Sequence, residues 1–156
     1  MTYRITGLAA DQFAPLFALS DAELAQRNAR RVTALADAGY PCRISLQDAR
    51  AGEELILLHH TSHDVATPYR SAYAIYVRPG VEAATYRART PPVFEGRPLA
   101  LRAFDAAGML QTARLAAPGE ADTAIRDLFA DDGIAYIHAH NAAFGCFAAR
   151  IERDAA

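Results

Sequence analysis

The chain has 156 residues, of which 52% are hydrophobic and 22% are charged, a composition typical of one globular domain and not of a disordered chain. Its 16 basic and 18 acidic residues leave a formal net charge of −2, which argues against a dedicated nucleic-acid-binding protein. All the basic residues are arginines, so lysine-based catalysis is excluded, and no apolar run reaches the roughly 18 residues that a membrane helix requires.

The N-terminal half of the sequence predicts a strand, a short helical turn and a capped helix, in that order. Alternating hydrophobicity predicts the strand at 3–8, and the helical turn follows at 11–17. Ser20 and Glu23 have the spacing of a capping box, in which each side chain bonds the other residue's backbone N–H, so a helix is expected at 21–29. Further strands are expected at 31–35, 54–60 and 71–78.

The C-terminal half predicts two hairpins separated by an amphipathic helix. It begins with residues 79–98, which are rich in proline, glycine and arginine and are expected to form a long irregular surface excursion. The elements expected after it are a hairpin of strands 99–104 and 109–115, a helix at 120–130, and a hairpin of strands 134–140 and 146–151. Together these elements predict a single α+β domain with a mostly antiparallel sheet and two to three short helices.

The strongest candidate site lies on the last predicted hairpin. Because residues two apart on a strand face the same way, His138 and His140 should share one face. If the five-residue loop closes symmetrically, Cys146 lies opposite His140, and Asn141 stands beside the pair. The sequence therefore predicts a patch of two imidazoles and one thiol.

Three interpretations of this patch remain open. His138, His140 and Cys146 form an N₂S ligand set suited to zinc, although the sequence requires no metal or other cofactor. Alternatively, His140 activates Cys146 as a nucleophile, with Asn141 as an orienting group. The third interpretation is structural: histidines and a small cysteine fill a half-buried sheet face and are satisfied by hydrogen bonds.

Two further groups of polar residues are weaker candidates. Three histidines cluster at 59–63, where a buried strand is expected to end, but an ordinary surface location is the favoured explanation for them. Arg43 and Arg70 each follow a proline-containing turn, and with Arg102 they could line a pocket for an anionic substrate. The competing interpretation is that these arginines cover apolar surface with their stems.

Several short segments together resemble one bacterial family of about this length, catalogued as domain of unknown function 1203. The matching segments occur in the same order from near the N-terminus to about residue 150, and are 13–24, 39–43, 67–70, 101–105 with 108–109, and 135–141 with 145–147. The resemblance implies a stand-alone bacterial protein. It implies no reaction and no catalytic residue.

Two functional hypotheses follow from the sequence. One is a small enzyme with its site around His138, His140, Asn141 and Cys146, acting on a small anionic substrate. The other is a non-enzymatic module that binds a ligand or forms a homodimer. Neither involves nucleic acid or a membrane. Because no signal peptide precedes the chain, we expect a cytoplasmic protein with both of its cysteines reduced.

Overall fold

A computed structural model describes residues 1–155, which form strands arranged in two sheets together with three short α-helices. The strands are β1 Thr2–Thr6, β2 Ala29–Thr33, β3 Glu54–His63, β4 Ser71–Val77, β5 Thr85–Arg87, β6 Leu99–Phe104, β7 Leu110–Ala116, β8 Tyr136–Asn141 and β9 Phe147–Asp154. The α-helices are α1 Ala14–Phe17, α2 Asp21–Ala25 and α3 Ala121–Leu128. Two 3₁₀ turns lie at Ala10–Gln12 and Pro92–Phe94.

One sheet has six strands in the order β5-β1-β9-β8-β6-β7, and the other has three in the order β2-β3-β4. Every pairing between these strands is antiparallel. The predicted combination of mostly antiparallel sheet with a few short helices is thus confirmed, although the fold contains much more strand than helix. No helix in residues 1–155 is long and apolar enough to cross a membrane.

The first face of the six-stranded sheet packs against α3. Ile125 and Leu128 lie on the apolar side of this helix and join one core with Leu101, Ile137 and Ile151 of the sheet. These three sheet residues belong to neighbouring strands, and all are essentially inaccessible to solvent. Their alternation along each strand sends the intervening residues, among them the predicted site histidines, to the opposite face.

The second face of the six-stranded sheet is covered by the three-stranded sheet. Phe147 of β9 packs in a second core with Ile56 of β3 and Ile75 of β4. His63, at the end of β3, stands against His138 of β8, with 5.0 Å between the ring centroids. The histidines of β8 are consequently enclosed between two sheets, and they do not lie on an open, half-buried face.

A segment at residues 41–49 joins the two sheets. The backbone N–H of Arg43 donates to the carbonyl of Tyr76 in β4, and the Arg43 carbonyl accepts from Leu8, just past β1. Gly7 allows this approach, because a Cβ at this residue would lie 1.9 Å from the carbonyl oxygen of Ile44. The side chain of Arg43 is thereby held between the sheets.

Two local expectations need correction. The helix predicted at 21–29 has the expected capping box but ends at Ala25, because the chain turns through Asn28, whose φ of 53° lies in the left-handed region. The segment at 79–98 is more ordered than its composition indicates. It contributes β5 to the edge of the large sheet and buries Val93 and Phe94 in the first core.

Candidate functional site

The β8–β9 hairpin does not close symmetrically. A β-bulge shifts the register between Ala139 and His140, so that His140 pairs with Phe147. Cys146 instead lies beside Asn141, whose backbone N–H donates to the Cys146 carbonyl over 2.9 Å. The expectation that Cys146 lies opposite His140 is therefore wrong, because the bulge adds one residue to one strand and turns the thiol away from the histidine face.

Cys146 has two hydrogen-bond donors at its sulfur. The Arg43 guanidinium donates through Nη2 to Sγ at 3.2 Å, and the Asn141 amide donates through Nδ2 at 3.3 Å. The thiol is partly exposed. Donors that converge on a sulfur stabilise its anionic form relative to its neutral form, so this arrangement suits a thiolate.

Arg43 is a buried cation without a carboxylate partner among the described residues. Only 2% of its surface is exposed, and its other hydrogen bonds go to backbone carbonyls, from Nε to Phe147 at 2.8 Å and from Nη1 to Pro41 at 2.5 Å. Burial lowers the pKa of Arg43, and its contact with the Cys146 sulfur opposes that change. A buried charge is costly unless it is paired, and the Cys146 sulfur is the group placed to pair it.

These three residues line a pocket of about 330 Å³ that opens to solvent. The other side chains that form its walls are mostly apolar or aromatic and come from both sheets and the 141–145 loop, among them Leu57, Tyr73, Tyr76, Pro98 and Phe144. Arg97 also lines the pocket but pairs with Asp48, with 2.8 Å between Nη2 and Oδ1. This combination of apolar walls and a few polar groups is typical of small-molecule sites.

The predicted histidines form a separate, buried cluster. His63 accepts from the Tyr136 hydroxyl at Nε2 over 2.6 Å and donates from Nδ1 to the Tyr69 carbonyl over 2.9 Å. His138 is only 1% exposed, and neither of its ring nitrogens has a hydrogen-bond partner in the described structure. His140 donates from Nδ1 to the Gly145 carbonyl over 2.9 Å. Neither His138 nor His140 is among the residues that line the pocket.

Burial keeps His138 and His140 uncharged near neutral pH. Burial lowers the pKa of His138 to about 2, and its electrostatic interactions with His63 and Arg150 lower it further. Burial also lowers the pKa of His140 to about 4, against the opposing effect of its hydrogen bond to Gly145. Within residues 1–155, no three or more His, Cys, Asp or Glu side chains converge in a way that could hold a metal ion.

The three predicted anion-binding arginines do not come together. Only Arg43 lies in the pocket. Arg70 is exposed and pairs with Asp64, with 2.9 Å between Nε and Oδ1. Arg102 pairs with His138 across β6 and β8, which places it on the histidine face of the sheet, away from the thiol. The three arginines that were expected to line one anion pocket therefore lie at three separate places.

Aromatic residues surround the thiol, and their part in the pocket was not predicted from the sequence. Tyr73 and Tyr76 of β4 and Phe144 of the hairpin loop all line the pocket. The exposure of Phe144 could have been predicted, because a phenylalanine in the middle of a predicted hairpin loop has no core to pack into. Its side chain is 81% exposed. The two tyrosines carried no such signal, since aromatic residues in a strand are ordinary.

The chain is a sheet-rich α+β protein with a pocket lined by Cys146, Arg43 and Asn141 as its candidate site. The model of one family matches residues 39–153, and the chain belongs to that family, which is described as a protein of unknown function (DUF1203). The match confirms the resemblance noted in the sequence. Neither a curated protein nor a solved structure matches the chain.

Proposed function

We propose that this protein is a thiol-dependent enzyme in which Cys146 attacks a small molecule held in the pocket. The observation that carries this proposal is the contact of one sulfur with a buried guanidinium, that of Arg43, and with the amide of Asn141. A cysteine paired with a cation in a partly exposed pocket has the surroundings of a reactive thiol. A thiolate that forms before the substrate arrives needs no histidine to remove its proton.

The chemistry best suited to this site is acyl transfer. The thiolate would contribute the electron pair of a new S–C bond to a carbonyl carbon, and the carbonyl π pair would move onto oxygen beside the Arg43 guanidinium. Return of that pair would expel the leaving group, which would take its bonding electrons and a proton from a water molecule. The hydroxide formed in this way would then add to the thioester carbon and release a carboxylic acid, which restores the Cys146 thiolate. A working thiol requires a reducing compartment, which favours the cytoplasm.

The substrate that the sequence suggested was anionic, but the charges in the pocket favour an uncharged one. Arg43 faces the Cys146 sulfur, and Arg97 is already paired with Asp48. When the thiol is ionised, the pocket has no spare cation to attract a carboxylate or phosphate. An anionic substrate would also meet the negative sulfur at short range, where like charges repel.

The proposal is tested by alkylation of the native protein with iodoacetamide at pH 6 to 7, with the labelled cysteine located by mass spectrometry. We expect Cys146 to react about tenfold faster than glutathione, as a stabilised thiolate should at a pH where free thiols are largely protonated. Cys42, which is fully buried, should remain unlabelled and serves as an internal control.

Arg43→Lys should slow this alkylation about tenfold, because a lysine cannot donate to the sulfur and both carbonyls from one planar group. The matched control is Arg78→Lys, at a half-buried arginine that pairs with Glu53 and lies outside the pocket. Circular dichroism would verify that both variants fold. A wild-type Cys146 that reacts no faster than glutathione would overturn the proposal without reference to either variant.

A further inference from the structure

Asn141 lines the pocket and has a buried hydrogen-bond acceptor that is not used. Its Nδ2 donates to Cys146, but its Oδ1 is buried and has no hydrogen-bond partner among the described residues. Asn141 as a whole is only 8% exposed. An unpaired buried carbonyl oxygen costs free energy, and a ligand that brought an N–H or O–H donor to this point would recover it.

Whereas Asn141 has an unused acceptor, Arg43 has unused hydrogen-bond donors. A guanidinium has five N–H groups, and three hydrogen bonds from Arg43 are present, to Phe147, Pro41 and Cys146. The remaining N–H groups can donate to an acceptor on a ligand in the pocket that Arg43 lines. The thiol therefore stands between a residue that needs a donor and a residue that needs an acceptor.

We propose that the pocket recognises an uncharged carboxamide-type group, in which a carbonyl oxygen accepts from Arg43 and the neighbouring N–H donates to Asn141 Oδ1. This inference rests on the proposed function and names its substrate class. Such a group presents its electrophilic carbon between the two contacts, where Cys146 lies. A carboxylate has no donor for Asn141, and an ester lacks one at the same position.

The rest of the ligand should be apolar or aromatic. Apart from Arg43, Asn141, Cys146 and the paired Arg97, the pocket is bordered mainly by apolar and aromatic residues, among them Leu57, Tyr73, Tyr76 and Phe144. Tyr73 and Phe144 are 57% and 81% exposed, so a ligand in the pocket would cover aromatic surface that now faces water. Aromatic rings contribute large contact areas to binding, and a flat apolar body suits these walls.

The test compares two alkylating probes that differ only in the recognised group, iodoacetamide and iodoacetate. The quantity measured is the ratio of their rates at Cys146, divided by the same ratio for glutathione, so that the fraction of thiolate cancels. We expect this normalised ratio to be about tenfold in favour of the amide, since a site that hydrogen-bonds one group discriminates against an analogue that cannot bond it. Benzamide should also protect Cys146 from alkylation, and benzoate should not.

Asn141→Ala should bring the normalised ratio close to one, whereas Arg78→Lys should leave it as in the wild type. Fast alkylation with a normalised ratio near or below one in the wild type would overturn the carboxamide inference and leave the reactive thiol intact. Alkylation by both probes no faster than that of glutathione would overturn the proposed function, and the inference with it. The wild-type measurement alone separates these outcomes, so the test does not depend on the folding of any variant.

Discussion

Gly7 is the residue on which the placement of Arg43 depends most directly. It lies between β1 and the segment at 41–49, and a methyl group there would overlap the Ile44 carbonyl, a backbone atom that cannot rotate away. We expect Gly7→Ala to lower the free energy of unfolding by about 1–3 kcal/mol, the usual cost of overpacking, and to slow alkylation of Cys146.

A matched control exists at Gly133, where an added Cβ would lie 3.1 Å from the flexible side chain of Asp131. Gly133→Ala should change the free energy of unfolding by less than about 1 kcal/mol, because that side chain can move. Urea unfolding followed by circular dichroism measures both variants. Equal destabilisation by the two substitutions would show that the contact between Gly7 and Ile44 is not the cause.

At the scale of single residues, the three polar residues that meet in the candidate site had been singled out from the sequence, but their contacts had not been predicted. Arg43, Asn141 and Cys146 were all candidates, because each is a residue type with suitable chemistry. Arg43 and Cys146 are 103 residues apart, and only the tertiary fold brings them to 3.2 Å. Local rules succeed where the interaction itself is local, as in the capping box of Ser20 and Glu23.

The β8–β9 hairpin is the element that sets the geometry of the thiol. Its loop is held by the hydrogen bond from His140 Nδ1 to the Gly145 carbonyl, immediately before Cys146. We therefore regard His140 as a positioning residue. His140→Phe keeps an aromatic ring against Phe147 but removes this bond, and it should cost about 1 kcal/mol of stability and slow Cys146 alkylation several-fold.

The control for this prediction is His60→Phe. His60 is half-buried against Phe13, with 5.6 Å between ring centroids, and it does not belong to the hairpin. Its replacement should change stability without changing the alkylation rate. The rate is measured by mass spectrometry and stability by urea unfolding. An unchanged rate in His140→Phe would mean that the loop holds its geometry without the histidine.

At the scale of elements, patterns of hydrophobicity predicted most strands and α3 to within a few residues, because burial has a period along each element. The bulge at Ala139 and His140 was not predictable, since nothing in the local sequence favours an asymmetric hairpin over a symmetric one. The strand Thr85–Arg87 was also missed. Its three residues carry too little pattern, and they pair with β1 from far along the chain.

The two sheets together enclose histidines whose protonation should oppose folding. The pKa of His138 is lowered to about 2 and that of His140 to about 4, from an ordinary value of 6.5, chiefly by burial. Below about pH 6.5 the unfolded chain binds protons at both residues and the native chain does not. The free energy of unfolding should therefore fall as the pH drops from about 6.5 toward 4, by about 1.4 kcal/mol per histidine per pH unit.

Urea unfolding at pH 7.5, 6 and 5 measures this slope. His138→Phe keeps a ring in the apolar site and removes one titrating group, so its slope should be smaller than that of the wild type by about 1.4 kcal/mol per pH unit. It should also stabilise the protein at pH 5 relative to the wild type. A wild-type slope that remains unchanged in His138→Phe would show that this imidazole is not responsible for the loss of stability.

The packing of one sheet on the other could not be predicted from the sequence. The sequence left open whether the histidines at 59–63 meet those at 138–140. His63 contacts His138 because the three-stranded sheet covers that face. The sequence likewise could not show that β8 lies between two layers. Its alternating polar residues are typical of a strand with one solvent-exposed face, yet all six of its residues are buried.

The position of the pocket on the seam between the layers has a mechanical consequence. Leu57 and Tyr76 belong to one layer, Asn141 and Cys146 to the other, and any molecule held among them touches both. A bound acyl group would contact both sheets and would restrict their sliding past each other. Release of a bulky product would then require the two sheets to move apart locally. The rate of product release would therefore depend on how easily the sheets separate at the pocket.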